Sequence, residues 1–200
     1  MKQLLEKYIP ESSLERVSYL LDTHPCDLKI VNNRKTKHGD FRKLSNGRYQ
    51  ITVNKDLNKF RFLLTLIHEL AHLITHKEHG RVKPHGNAWK RNFQHLMLPF
   101  LHPDIYPEAV LPFLAAYLKN PRASTDSDAK LSLALKQYDD KNGMNYIFEI
   151  PEKSKFIHNN RIFEKGQKRR TRYECLELRT SRRYLFHQNA EVEIIENYKP

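Results

Sequence analysis

Leu63-Leu64-Thr65-Leu66-Ile67-His68-Glu69-Leu70-Ala71-His72-Leu73-Ile74 decides the reading of this chain. Apolar residues recur at Leu63, Leu66, Ile67, Leu70, Ala71 and Ile74, the spacing of a helix with one face made for burial. On the opposite face His68 and His72 stand one turn apart, so their rings can converge on a single ion. Glu69 lies about 100° round from His68 and about 60° from His72, where a carboxylate can exchange a proton with water beside the metal without being a ligand. His-Glu-x-x-His in this setting is the pattern of a zinc peptidase helix. A purely structural zinc would need four protein ligands, whereas an open catalytic site needs three.

The third ligand must come from beyond the helix face. Downstream stand His76, Glu78, His79 and His85. On a straight helix His76 is roughly 12 Å along the axis from His68, too far for both to bind one ion at about 2.1 Å. A metzincin would carry Gly at position 75 and His at 78, but this chain has Thr75 and Glu78. Gly80 ends the helical pattern, and Pro84-His85-Gly86 opens a second segment with Trp89, Phe93 and Leu96 at helical spacing. A ligand at the head of a second helix can reach the two-histidine face from the side, which favours His85 and leaves Glu78 and His79 as alternatives.

His68-Glu69-Leu70-Ala71-His72 followed by His85-Gly86-Asn87-Ala88-Trp89 resembles the SprT-like metallopeptidases, whose pattern is His-Glu-x-x-His and then His-Gly-x-x-aromatic. The resemblance extends to Arg34-Lys35-Thr36-Lys37-His38-Gly39, to Tyr49-Gln50-Ile51-Thr52-Val53-Asn54, and more weakly to Lys168-Arg169-Arg170-Thr171-Arg172-Tyr173-Glu174-Cys175. It implies one zinc ion held by His68, His72 and His85, with Glu69 as the catalytic glutamate. It also implies a protein substrate, since the family includes Spartan-type proteases that degrade proteins crosslinked to DNA. The chain departs from the zinc-ribbon branch. A ribbon needs about four ligands at paired spacings, and only Cys26 and Cys175 are present. The C-terminal region is therefore expected to hold together by packing, and the two cysteines to be free buried thiols of a reducing compartment.

Two hundred residues, 39% of them hydrophobic, suffice for one sizeable core, or one core and a smaller satellite. The apolar run at Met1 to Tyr8 is too short for a signal peptide and no stretch could span a bilayer, so the expected location is the cytoplasm, with no membrane partner. Ser12-Ser13-Leu14-Glu15 reads as a capping box opening a helix through Asp22, with Leu14, Val17 and Leu21 inward. Strands are expected at Asp27 to Val31 and Tyr49 to Asn54, with a short one near Phe41, between turns at Gly39 and Asn46-Gly47. A further apolar helix is expected from Ala109 to Leu118, serving the core.

Residues Asn120 to Lys130 are rich in Pro, Ser, Thr and Asp and read as an exposed linker or loop. This divides the chain into a peptidase domain at 1–120, a linker or loop at 121–140 and a basic antiparallel β subdomain at 141–200. The expected class is α+β, a small sheet packed with helices that include the zincin-type His-Glu-x-x-His helix, followed by a small antiparallel β unit. In that unit strands are expected at Met144 to Ile150, Phe156-Ile157, Ile162-Phe163, Tyr173 to Leu178, Tyr184 to His187 and Val192 to Ile195, with a hairpin turn at His158-Asn159-Asn160-Arg161.

Between Lys153 and Arg183 stand eleven Lys or Arg and three Glu, a surplus of +8 out of the chain's formal +12. Lys168, Arg169, Arg170 and Arg172, with Arg182 and Arg183, are the expected nucleic-acid contacts, and Tyr173, Tyr184 and Phe186 the expected stacking partners, with DNA as the partner. The function expected is zinc-dependent endopeptidase, acting on proteins associated with or crosslinked to DNA. The alternative is a noncatalytic zinc-containing nucleic-acid-binding protein. A phosphoester hydrolase fits less well, because no compact Asp cluster accompanies the histidines. For an oxyanion the nearby candidates are His76, His79 and Arg81.

Overall fold

The computed structural model describes residues 2–34, 36–139 and 144–195. They form two units, Met1–Asp139 and Asp140–Pro200. The first begins with α1 (Lys2–Leu5) and α2 (Leu14–Thr23). Leu14, Val17 and Leu21 of α2 are buried as their spacing requires, but the capping box does not form. Instead Ser12 Oγ donates to the Asp104 carbonyl at 2.5 Å and Ser13 Oγ to the Pro10 carbonyl at 2.6 Å, so both hydroxyls stitch a 3-10 turn to its surroundings.

Three strands follow: β1 (Asp27–Val31), β2 (Gly39–Lys43) and β3 (Tyr49–Asn54). β3 is central, parallel to β1 with Leu28 opposite Ile51, and antiparallel to β2 with Phe41 opposite Ile51. β2 is thus an edge strand. Gly47, at φ 81°, makes the β2–β3 turn, whereas Gly39 is not a turn residue but the first residue of β2. Against this sheet lies α3 (Lys59–His79). Asn58 starts the helix by accepting from the Phe60 and Arg61 N–H groups, and Gly80, at φ 67°, ends it. Leu63, Leu66, Ile67, Leu70 and Ala71 are fully buried in a core shared with Ile51 and Val53. α4 (Asn87–Met97) returns after a short loop and seats Trp89, Phe93 and Leu96 in the same core.

The unit closes with α5 (Leu111–Leu118) and α6 (Ala129–Lys136). This corrects the expected linker. Its polar residues turn inward: Asp126 pairs with Arg61, and Asp128 caps α6 by accepting from the Leu131 N–H, so the stretch folds as part of the first unit. Asp140, the last residue of that expected linker, lies outside the described residues. Among the described residues no helix is long and apolar enough to cross a membrane.

The second unit is a six-stranded antiparallel sheet of β4 (Asn145–Tyr146), β5 (Lys155–His158), β6 (Arg161–Arg169), β7 (Arg172–Glu177), β8 (Arg183–His187) and β9 (Glu191–Ile194), in the order β4-β9-β5-β6-β7-β8. Asn159 and Asn160, both at positive φ, form the tight β5–β6 turn. The strand expected from Met144 to Ile150 stops at Tyr146. There the Glu149 carboxylate accepts from the Tyr146 N–H at 2.6 Å and curls the chain, dropping Ile147 and Ile150 into the core. Phe156, Phe163, Cys175 and Val192 complete that core without a metal ligand set or a disulfide among the described residues. Cys175 is buried and Cys26, in the first unit, is half-buried; burial pushes both thiols up to about 11, leaving them poor nucleophiles.

Candidate metal centre

The otherwise apolar helix α3 carries one polar stripe. At about 100° per residue Arg61, Thr65, His68, Glu69, His72 and His76 fall within an arc of about 100°. Arg61, Thr65, His68 and Glu69 are nonetheless buried, at 3%, 6%, 8% and 7% exposure, because the stripe faces other protein rather than bulk water. Across from it His85 precedes α4 at φ 55°. That left-handed backbone, uncommon for a side-chain-bearing residue, turns the ring back onto α3.

The three Nε2 atoms converge: His68 to His85 is 3.2 Å, His68 to His72 3.3 Å and His72 to His85 2.9 Å. Three nitrogens held tetrahedrally about zinc at about 2.1 Å stand about 3.4 Å apart, so the spacing fits one zinc ion with a fourth position open. Lone pairs gathered this closely repel one another unless a cation lies among them. Their surroundings also favour the neutral form that ligands must have. Burial lowers His68 well below the usual imidazole range, lowers His72 to about 4 and lowers His85, with the neighbouring rings adding to it at His68 and His72.

Trp89 is the floor beneath all three rings, at centroid distances of 4.6, 5.3 and 4.7 Å from His68, His72 and His85. Phe41 of β2 lies parallel to His72 on its other side, 6.5 Å away. These aromatics fix ring orientation by packing. Trp89 stood in the motif as its aromatic residue, but its place under the rings was not legible, and Phe41 stood only in an expected short strand.

Glu69 points at β2. Its carboxylate accepts from the Phe41 backbone N–H, and burial first, then the charge of Asp40, pushes it up to about 8 against the pull of Arg34, Lys37 and that hydrogen bond. Gly39 makes the approach feasible, since a Cβ there would stand 2.6 Å from Glu69 Oε1 and 2.8 Å from Thr65 Cγ2. Beside the histidines opens a cleft of about 400 Å³ whose walls include Phe41, His76, Arg81, Val82 and Pro84.

The other candidates separate. His76 packs on Phe41 and Tyr49 and lines the cleft without joining the cluster. Glu78 accepts from Asn92 Nδ2 at 2.8 Å and His79 lies beside Glu78 on the exposed end of the helix, so neither is a ligand. Arg81 lines the cleft and His79 does not.

The six cations expected to meet nucleic acid fall into two groups. Lys168, Arg169, Arg170 and Arg172 crowd the β6–β7 hairpin tip, where Arg169 faces Arg172 and Arg170 makes the turn at φ 56°. Arg182 and Arg183 lie at the other end of β7, with Arg183 opposite Leu176. Glu174 lies between, 3.2 Å from Arg169 Nη2 and 2.5 Å from Arg183 Nη1. The stacking expectation fails: Tyr173 is buried, and half-buried Tyr184 and Phe186 pack against the inner core, because strand alternation turns them away from the exposed face of Arg172, Leu176, Arg183 and Leu185.

Residues 16–105 match the SprT-like family model. A 23-residue stretch of the chain is 78% identical to Protein SprT of Vibrio atlanticus (strain LGP32), covering 12% of this chain and 14% of that protein. No solved structure matches the chain.

Proposed function

We propose that this chain, whose residues 16–105 match the SprT-like family model, is a zinc-dependent endopeptidase working on proteins associated with or crosslinked to DNA. The observation that carries the peptidase reading is the tri-histidine cluster with Glu69 buried beside it. Held by His68, His72 and His85, a zinc ion supplies Lewis acidity, polarising a carbonyl and lowering the pKa of water toward about 7. Glu69 does the proton work. Its carboxylate, buried beside the histidines, can take a proton from the attacking water and return it to the leaving amine. The Phe41 N–H and the Gly39 backbone keep that carboxylate against β2 while the proton moves. β2, an edge strand lining the cleft, offers an extended substrate a backbone to pair with, which suits cleavage of unfolded segments.

The DNA-associated substrate rests on the basic hairpin tip, which supports phosphate contact, while the burial of the nearby aromatics removes base stacking. Two free thiols fit a reducing cytoplasm as its location.

Glu69→Gln tests the reading. The variant is expected to keep one zinc per chain and lose cleavage of a basic unstructured protein, measured with and without DNA. Unchanged cleavage would sink the mechanism. DNA binding with no cleavage by the wild-type zinc protein would instead favour the noncatalytic nucleic-acid-binding alternative.

A further inference from the structure

Sharing Glu69 and His68 with the main cleft lies a smaller cavity of about 210 Å³, walled by His38, Thr65, His68, Glu69, Ala123 and Asp126. Two of these walls are joined by a charged hinge. His38 Nε2 lies 2.7 Å from Asp126 Oδ2, and Arg61 Nη1 lies 2.8 Å from Asp126 Oδ1. The same guanidinium donates through Nη2 to the Ser132 carbonyl at 3.1 Å, and Ser132 Oγ lies 3.4 Å from Asp126 Oδ1. Arg61 is on α3, two turns before Glu69 and on the same stripe. His38 immediately precedes Gly39, the residue packed on the Glu69 carboxylate, and its carbonyl accepts from the Asn54 N–H at 2.9 Å. One carboxylate thus ties the helix that carries Glu69 to the strand that holds it.

We propose that His38 and Asp126 form a positioning clamp that sets the distance between α3 and the start of β2, and through it the place of the Glu69 carboxylate. The clamp acts on Glu69 rather than on the histidines, because Gly39 packs on the carboxylate while His68 and His72 are carried by α3, His85 by the head of α4, and all three rings rest on Trp89. A hydrogen-bond donor at position 38 is what it requires. Losing that donor lets Gly39 drift from α3 and the Glu69 carboxylate shift with it, and a displacement near 1 Å at a proton-transfer group lowers turnover by about 10²-fold.

The role rests on the peptidase reading, and its test separates the two. His38 is half-buried, so His38→Leu is expected to fold; it removes the donor, while His38→Gln keeps an amide that can still reach Asp126. For the zinc-loaded protein, His38→Leu should lower kcat about 10²-fold with KM and zinc affinity unchanged, and His38→Gln should restore most of it. Independently of activity, hydrogen exchange at the Phe41 amide should quicken about tenfold in His38→Leu and return toward wild type in His38→Gln. Wild-type kcat and wild-type Phe41 exchange in His38→Leu would overturn the clamp, and so would a fall in zinc affinity that matches the loss of kcat. If the wild-type protein cleaves nothing, the peptidase reading fails, and the exchange comparison still decides the clamp.

Discussion

Glu69 shows how burial sets the chemistry of one residue. Its pKa, about 8 in the metal-free protein, is raised above the ordinary carboxylate value, so between about pH 4.5 and 8 the folded chain binds a proton that the unfolded chain does not. The stabilising contribution is therefore present at low pH and lost as pH rises through 8. In metal-free protein the stability of wild type relative to Glu69→Gln is expected to fall by a few kcal/mol between pH 5 and 9, as read from urea midpoints. The histidines are common to both proteins and cancel. Gly39 gives a second residue-scale test. Gly39→Ala drives a methyl against Glu69 Oε1 and Thr65, so zinc should be retained while turnover falls and stability drops by about 1–3 kcal/mol. Wild-type kinetics in that variant would show that β2 yields to the methyl.

At the scale of elements, the apolar spacing of α3 made the helix, its buried face and the pair His68 and His72 legible, since a period near 3.6 is written directly in residue order. His85 was legible because a glycine break and a new apolar period announce a returning helix. What could not be read were contacts set by the third dimension: the Phe41 N–H on Glu69, the closeness of Gly39, and Asp126 reaching Arg61 across 65 positions of sequence. The composition that marks an exposed loop also supplies inward-facing charge, and residue types alone do not separate the two. The capping box misled for a related reason, because a serine hydroxyl takes whichever carbonyl packing brings near. Two substitutions test the element. Leu70→Ala should cost about 2–5 kcal/mol in thermal or urea unfolding with zinc binding intact, because Leu70 is fully buried and away from the ligand face. Asn58→Ala should cost about 1–2 kcal/mol, since the same side chain that caps α3 also donates to the Leu135 carbonyl at 2.9 Å.

Over the whole molecule the charge is uneven, and the second unit concentrates it at a hairpin tip. Phosphate contact without stacking predicts DNA binding that weakens steeply with salt and shows little preference for single strands. Replacing Lys168, Arg169, Arg170 and Arg172 by Gln should reduce the slope of log K against log salt by about 3–4, at about 0.9 for each phosphate no longer neutralised. Replacing Arg182 and Arg183, which stand at the other end of β7, should change it separately. An unchanged slope in the fourfold variant would remove the tip from the interface.

The fold of residues 121–139 bears on where the peptidase unit can be cut. A shortened chain that stops at residue 120, where composition suggests a seam, would discard Asp126, Ser132 and Asp139, leaving the buried Arg61 guanidinium without its carboxylate and Asn58 without two of its acceptors. Such a fragment would keep every zinc ligand and Glu69, yet lose the ties that hold them in register. On the proposed reading, a fragment meant to keep the site intact should run to Asp139, and a protease nick between Leu118 and Ala129 should lower activity without touching a single metal ligand.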